Sequence, residues 1–572
     1  MKYQLINKDV MGKSLLDIVF ENRNLTKEQV ERLLNAGKEN YLDPFGIYGM
    51  KEAIAQFKEE IIKENNIMIC CDSDFDGYCS SSIFYKFLTE DVGYDKEKVF
   101  YHIHDGKQHG ITKELMEHIK DVNAKYLIVP DAGTNNLFEM KKLNKQGVKI
   151  LVLDHHLCEI NLNEIPNNTI IVNNQMNEVS KYGSGTLVTA KFVEAFGYDI
   201  HKYEDLIASS IVADSMDCIQ MENRAFINEG LDNIQNPLIK EYFKKNKVRN
   251  PIVNDVSYNL ANYVNSIVRV GIAEEKELMF RAFIGEMENF DYVKRGGETI
   301  KETLQERVVR LSSNAKSRQA NSTKKAVMEC NKYITRHHLE NDKVIIIKND
   351  DEFIDKSVTG LIAMKVADAN HKPCMILNRL NDDYYSGSMR SFGLDSFKDI
   401  LEETNLMEWV KGHDNSAGVN IKVENVDKLR IALNERLKDV KFTDGKIYQV
   451  DSIIEINNLN KSEIKGIAQL NKLWCNSARK PLFVIKNIQI DSCKIEMAGK
   501  LRCEFKYNGI KFVKNWCSKD FFEKITLANA KRFGRSIPLN ITLVCEFGLD
   551  YYGNPIVEIV DANSVKNTQI IF

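Results

Sequence analysis

The sequence predicts an α/β protein: a parallel-sheet domain, joined by a long helix to a smaller α/β domain, with a small β-barrel towards the C-terminus. Three observations lead there. From residue 67 to about 220, short apolar runs alternate with helical stretches, the pattern of a parallel sheet with helices on both faces. Residues 297–340 form a long polar stretch of helical propensity without proline. From about 445 onward, short β-type runs follow one another. At 572 residues the chain is too long for one compact core, and about 100–200 residues per domain gives roughly three to five units.

Taken in order, residues 1–66 read as helices with an interrupting turn. Thr26 followed by Glu28 and Gln29 marks a helix start, Asp43-Pro44 marks a break, and 51–64 is an apolar-periodic helix. Strands are expected at 67–71, 99–103, 125–129, 148–153 and 169–172, with helices such as 81–90 and 112–119 between them. Residues 220–295 read as mostly helical. A strand-and-helix unit runs from 343 to about 440, and the tail carries strands at 482–490, 501–507, 510–513, 539–547 and 556–560. The boundaries expected are 1–66, 67–295, 296–340, 341–440 and 445–572. No internal repeat or low-complexity tract stands out.

Composition narrows the class. With 43% hydrophobic and 28% charged residues, the chain reads as a globular cytoplasmic protein. No stretch approaches the roughly 18 apolar residues that span a bilayer, and the opening MKYQLINKDVMGKSLL has no long apolar run, so neither membrane nor secretory signal is expected. The 12 Cys include no C-x-x-C pair, which argues against a zinc ribbon and for reduced thiols. A net charge of −3 does not favour general electrostatic binding to nucleic acid. The run Arg307, Arg310, Lys316, Arg318, Lys324, Lys325 has no acidic residue within it, and by composition reads as a solvated helix face.

Four polar clusters fall at the C-terminal ends of predicted elements, where open α/β sheets build their sites. They are Asp72-Ser-Asp74-Phe-Asp76-Gly77, Pro130-Asp131-Ala-Gly133, Asp154-His155-His156, and Asp214 after the apolar helix 206–213. Carboxylates with one or two imidazoles suit Mn²⁺ or Mg²⁺. Two such ions sharing a carboxylate polarise a phosphate and activate water. Gly77 is expected to permit a tight turn. Each cluster has a plainer reading: a strand-end Asp is commonly a turn or cap residue. An EF-hand is excluded, because its twelfth loop position would be Ile83 and the loop follows a strand. Four clusters in order favour the metal reading over coincidence.

In that order the clusters resemble the four motifs of the DHH phosphoesterase family. The resemblance extends to its RecJ branch of single-strand-specific exonucleases through Asp43-Pro44, Gly183-Ser-Gly185, Glu222-Asn223-Arg224, Gly360-Leu-Ile-Ala363, Lys372-Pro373, Gly387-Ser388-Met389-Arg390-Ser391, and Gly412-His413 followed by Ala417-Gly418. It implies metal ligands at Asp74, Asp76, Asp131, His155 and Asp214, with Asp131 bridging. It implies orienting roles for Asp72 and Asp154, and places His156 against the scissile phosphate. Ser388, Arg390, Ser391, Gly412 and His413 would grip substrate from a DHH-associated domain, and the tail would be an OB-like barrel. Three features depart from the pattern: Met389 and Lys411 stand where the family has Gly, and the 102–110 segment carries His104, Lys107 and His109 in place of an Arg-containing, Gly-Tyr-Gly pattern.

The function implied is 5′-to-3′ hydrolysis of single-stranded DNA to 5′-mononucleotides, in repair, recombination or replication. Two Mn²⁺ or Mg²⁺ ions would serve a monomer whose protein partners are a single-strand-binding protein or a helicase. Tyr384, Tyr385 and Trp409 are base-stacking candidates, although core packing is the commoner role of each. Two alternatives remain: a DHH phosphodiesterase for short oligonucleotides or cyclic dinucleotides, and a non-catalytic replication scaffold.

Overall fold

The run Ile67–Cys71 is buried along its whole length, as a strand covered on both faces must be. In the computed structural model, which describes residues 1–8, 12–106, 108–442, 447–528 and 536–567, it belongs to a five-stranded parallel sheet. The strand order is Val99–Ile103, Ile67–Cys71, Tyr126–Pro130, Lys149–Asp154, Thr169–Asn173. The chain steps to one side of its first sheet strand and then returns past it. The resulting switch point lies between Ile67–Cys71 and Tyr126–Pro130, where such sheets open a ligand crevice. Alternate strand residues serve two cores. Ile69, Ile128 and Leu151 pack with Phe57, Phe84 and Phe192 of the helices Met50–Ile61, Phe75–Lys86 and Gly185–Phe196. Cys70, Val129 and Val152 pack with Leu115 and Met140 of Lys113–Asp121 and Leu137–Lys145.

Helices from Glu204–Ala213 to Ala273–Phe283 extend the first core. The helical reading of 220–295 fails at its end, where Asn289–Val293 and Thr299–Thr303 form an antiparallel hairpin. Its aromatic residues are held locally: Arg307 lies 4.5 Å over the Phe290 ring and Arg310 lies 4.0 Å over Tyr292. Both arginines belong to the 33-residue helix Leu304–Arg336, which starts at a Thr303–Glu306 capping box. Much of the basic run on this helix is tied down, with Arg307 and Arg310 paired to Glu302, Arg318 to Glu275, and Lys316 over Tyr263.

The long helix leads to a second sheet, ordered Met407–His413, Ser416–Lys422, Tyr384–Arg390, Cys374–Arg379, Ile345–Lys348. Register decides which residues share a face. Trp409 pairs with Asn420, Lys411 and Ser388 both pair with Gly418, and Arg390 pairs with Ser416. The opposite face buries Tyr385, Met389, Val410, Ala417 and Val419 against the helices Phe397–Glu402 and Val426–Arg436. Helix Thr359–Asn370 covers the first face over Ile345, Ile347, Cys374 and Ile376, and the remainder looks across to the crevice of the first sheet.

The tail forms a seven-stranded mixed sheet from Ser452–Glu455 to Glu496–Met497, in the order 452–455, 483–491, 538–549, 555–566, 510–515, 502–507, 496–497. Its core takes in Leu15, Ile18, Val19, Val30 and Leu33 from the N-terminal helices. The N-terminal segment is not wholly helical: Lys2–Leu5 is a strand paired in parallel with Ile447–Val450. Local periodicity could not reveal a partner so distant in sequence. Among the described residues, no helix is long and apolar enough to cross a membrane.

Candidate metal centre

The Asp72–Gly77 run is shaped by a helix that begins earlier than its apolar pattern suggests. Asp74 is the N-cap of Phe75–Lys86, and its carboxylate accepts from the Gly77 amide at 3.0 Å. The helix is buried nearly all round in its first turns, so no amphipathic stripe announces its start. Gly77 is helical, and its value lies in close approach: a Cβ there would meet the Asp72 carbonyl oxygen at 2.6 Å.

Asp72 is fully buried. It accepts from the Gly110 amide at 3.0 Å and faces His109 Nδ1 at 2.5 Å. Asp76 lies at the N-terminus of helix Gly185–Phe196, accepting from the amides of Gly185 (2.8 Å) and Thr186 (2.9 Å) and from the Thr186 hydroxyl (2.5 Å). That helix is seated directly against Asp131: a Cβ on Gly185 would fall 2.4 Å from Asp131 Oδ1. Asp131 itself has φ +63°, a conformation that costs a non-glycine residue on the order of 1–3 kcal/mol. Its amide donates to the Leu153 carbonyl at 2.8 Å, which fixes the turn after Pro130.

Asp154 organises the two histidines. One oxygen accepts from the amides of His155 (2.7 Å) and His156 (3.1 Å) and contacts His156 Nδ1 at 2.8 Å, while the other accepts from the Thr134 amide at 2.9 Å. His155 Nε2 then reaches 3.2 Å from Asp131 Oδ1, 3.5 Å from Asp214 Oδ2 and 3.8 Å from Asp76 Oδ2. Asp214 arrives as the C-cap of Glu204–Ala213. Three sets of donor atoms lie within 4.8 Å of one another: Asp131, His155 and His156; Asp76, His155 and Asp214; Asp72, Asp74 and Asp131. Asp131 belongs to two of them, as a carboxylate shared between ions must.

The residues fit a pair of divalent cations. Asp131 Oδ1 is buried and accepts no hydrogen bond, an expensive state for a carboxylate oxygen in protein alone. Burial and then the neighbouring carboxylates push Asp131 far above the usual range. The same causes raise Asp74 to about 6 and Asp214 to about 8. Positive charge among these oxygens would relieve both penalties. Burial lowers His155, favouring the neutral imidazole that ligates. Desolvation is the largest influence on His156 and opposes its charge, but the hydrogen bond to Asp154 and the charges of Asp154, Asp214 and Asp72 together outweigh it and raise its pKa to about 9. Burial works against Asp154 too, yet the bond to His156 and the surrounding donors hold its carboxyl well below the ordinary range.

The centre opens on a cleft of about 750 Å³, with His109, Gly110, Thr134, Asp154 and His156 on one wall and Ser388, Arg390, Trp409, Lys411 and Gly412 on the other. Three of the five expected substrate contacts therefore line it. Ser391 and His413 are not among its lining residues: the Ser391 hydroxyl is buried without a hydrogen-bond partner, and His413 is exposed at the end of its strand. Arg390 is packed against Gly360, where a Cβ would meet Nη2 at 2.5 Å, so the Gly360-Leu-Ile-Ala motif clears space for a guanidinium. The departures from the family pattern also acquire places. Met389 is fully buried on the far face, whereas Lys411 reaches across the cleft to Glu159 at 3.1 Å. His104 is buried and contacts the Gly110 carbonyl at 2.9 Å, bracing the turn below His109. Lys107 lies outside the described residues.

Sequence reasoning missed Arg269, in the last turn of Asn262–Val270. Burial lowers its pKa while Asp74 supports its charge, and burial followed by repulsion from Arg269 lowers that of Arg390. Its charge is therefore felt by both Asp74 and Arg390. Its only signal was a lone cation at the end of an apolar-periodic helix. Conversely, Glu222-Asn223-Arg224 acts as a fastening. Glu222 accepts from the Leu42 amide and the Ser180 hydroxyl, and Arg224 donates to the Cys218, Lys472 and Leu473 carbonyls.

Comparison with known proteins agrees with this geometry. The family described as "DHH family, N-terminal domain" matches residues 66–218. A putative SPbeta prophage-derived single-strand DNA-specific exonuclease, YorK of Bacillus subtilis (strain 168), is 31% identical over 551 residues, covering 92% of this chain and 93% of that protein. The structure of RecJ from Thermus thermophilus in complex with Mn²⁺ superposes with a TM-score of 0.68 at 16% identity, covering 96% of this chain and 76% of that one. The same protein in complex with Mg²⁺ gives a TM-score of 0.63 at 15% identity, covering 96% and 75%.

Proposed function

The chain belongs to the DHH phosphoesterase family, and on that premise we propose that it is a divalent-metal-dependent exonuclease that degrades single-stranded DNA from its 5′ end to 5′-mononucleotides, in repair, recombination or replication. The observation that carries the reading is Asp131: a buried carboxylate with an unsatisfied oxygen, shared by two donor sets, directly behind the Ala132 and His156 wall of a cleft whose other wall presents Arg390. The relative similar along nearly the whole chain bears a single-strand DNA-specific exonuclease name, which supports the substrate class.

In this reading Asp74, Asp76, Asp131, His155 and Asp214 hold two Mn²⁺ or Mg²⁺ ions, with Asp72 and Asp154 orienting their neighbours. Such ions supply Lewis acidity towards the phosphate and lower the pKa of water. The remaining work belongs to the chain. Asp154 keeps the charged imidazole of His156 at the cleft, where it neutralises a phosphoryl oxygen or protonates the leaving oxygen. Arg390 and Arg269 take further phosphate charge, and Arg suits this because its planar fork donates to two oxygens at once. Ser388 and Gly412 line the same wall. The cleft has the volume of a drug-sized ligand site, enough for the terminal nucleotide of one strand. In this reading 67–295 is a catalytic domain, the helix Leu304–Arg336 connects it to a DHH-associated domain at 341–440, and 445–572 is an OB-like domain.

The test is release of nucleotides from 5′-labelled single-stranded DNA in Mn²⁺, comparing the protein with Asp131→Ala. Equal activity would refute the site. A preference for dinucleotides over long strands would replace the exonuclease with a short-oligonucleotide phosphodiesterase.

A further inference from the structure

We propose that Trp409 is the stacking platform for the terminal nucleobase of the strand, a role that rests on the nuclease reading above. Three independent features of the fold aim its indole into the cleft. First, Trp409 is on Met407–His413, the edge strand of the second sheet, and the core residue of that strand is its neighbour Val410. Trp409 shares the open face with Lys411, Ser388 and Arg390. Second, a β-bulge separates Met407 from Trp409, so that Glu408 is the extra residue. Bulges near sites re-aim the side chains that follow them.

Third, the ring has a prepared floor. A Cβ on Gly418 would lie 3.4 Å from Cζ3 and 3.8 Å from Cη2 of Trp409. The six-membered ring of the indole therefore lies close over bare backbone, and the residue, 38% exposed, lines the cleft. A large aromatic left uncovered on an edge strand is a liability unless something lies against it.

Of the other aromatic candidates, Tyr384 is not among the residues that line the cleft. Tyr385 is buried with its hydroxyl on Asp350 at 2.6 Å. Trp474 is buried beneath Arg23, and Trp516 follows the tail strand Ile510–Asn515, away from the cleft lining. On the face that bears Trp409, Arg390 and Ser388 offer donors to phosphate while the indole offers a π surface. Together they match a nucleotide, with charge at one end and a flat base at the other. Stacking accepts every base, which suits an enzyme that must digest any sequence. The Lys411–Glu159 bridge ties the same edge strand to the opposite wall.

The experiment uses the full chain in a Trp516→Phe background, where emission comes from Trp409 and the buried Trp474. An oligothymidylate with phosphorothioate terminal linkages is added in Mg²⁺, and binding is followed separately by anisotropy of a labelled strand. Saturable quenching is expected with a terminal base and little with a terminal abasic residue. On hydrolysable strands, Trp409→Ala should raise KM about tenfold, leave kcat within about twofold, and erase the preference for a base over an abasic end. Trp409→Phe should restore most of that preference. Binding without quenching, an abasic preference that survives Trp409→Ala, or a Trp409→Phe enzyme as impaired as Trp409→Ala would each overturn the proposal. Base-dependent quenching without hydrolysis in the parent protein would sink the nuclease reading and leave the stacking role standing.

Discussion

The two walls of the cleft are built on opposite plans. On the first-sheet side almost every polar atom is locked: Asp72, Asp76 and Asp154 are each nearly fully buried and engaged by backbone amides. Asp131 is forced into a left-handed turn against a helix that tolerates no side chain at Gly185. On the second-sheet side, Trp409, Lys411 and Arg390 project from strands at positions fixed by register, with few local partners. The first wall is rigid because charged groups about to share cations must be preorganised. The second can be looser, since it grips a ligand with charge and a flat surface.

The comparison can be broken experimentally, and the largest effect should come from the locked wall. Asp131→Ala, or chelation of divalent metal, should lower nucleotide release at least about a thousandfold, equivalent to ~4 kcal/mol of barrier. Residual activity near the parent's would mean that the shared carboxylate is not the centre. Asp154→Asn leaves the backbone contacts in place but removes the charge that sustains His156, and kcat should fall roughly 10- to 100-fold. If KM moves and kcat does not, His156 merely binds.

The open wall should respond more mildly. For Arg390→Lys the point charge remains and the two-pronged contact is lost, so KM should rise about tenfold, or ~1.4 kcal/mol, with kcat little changed. Met389→Ala sharpens the contrast between the faces of one strand. Because Met389 is buried away from the cleft, unfolding experiments should register a loss of about 2–5 kcal/mol, while KM stays within about twofold of the parent. A large KM change without a stability change would place Met389 at the substrate.

The legibility of the two walls in sequence differed for the same physical reason. A metal centre is assembled from strand and helix ends, and each end leaves a short contiguous signature, so Asp72–Gly77, Pro130–Asp131 and Asp154–His156 could be read directly. The parallel sheet was equally legible, because strands buried on both faces are uninterrupted apolar runs. Arg269 left no such signature, since a single cation at a helix end is ordinary until the helix is packed. Met389 and Lys411 looked alike, as two departures from glycine in a phosphate-gripping wall, and only strand register separates a core residue from one that crosses the cleft. The strand Lys2–Leu5 was missed because its partner is distant in sequence, and the hairpin 289–303 because its strands, paired with each other, hold their aromatic rings under arginines of the following helix.

Sequence alone thus determined the α/β class, the order of the motifs and the chemical type of the centre, all of which are local properties of the chain. Tertiary structure decided that Asp131 is shared between donor sets, that Gly185 and Gly360 exist to admit Asp131 and Arg390, and that Trp409 faces the cleft. Those outcomes depend on which elements are brought into contact, and a side chain's direction across a sheet changes with a shift of one residue.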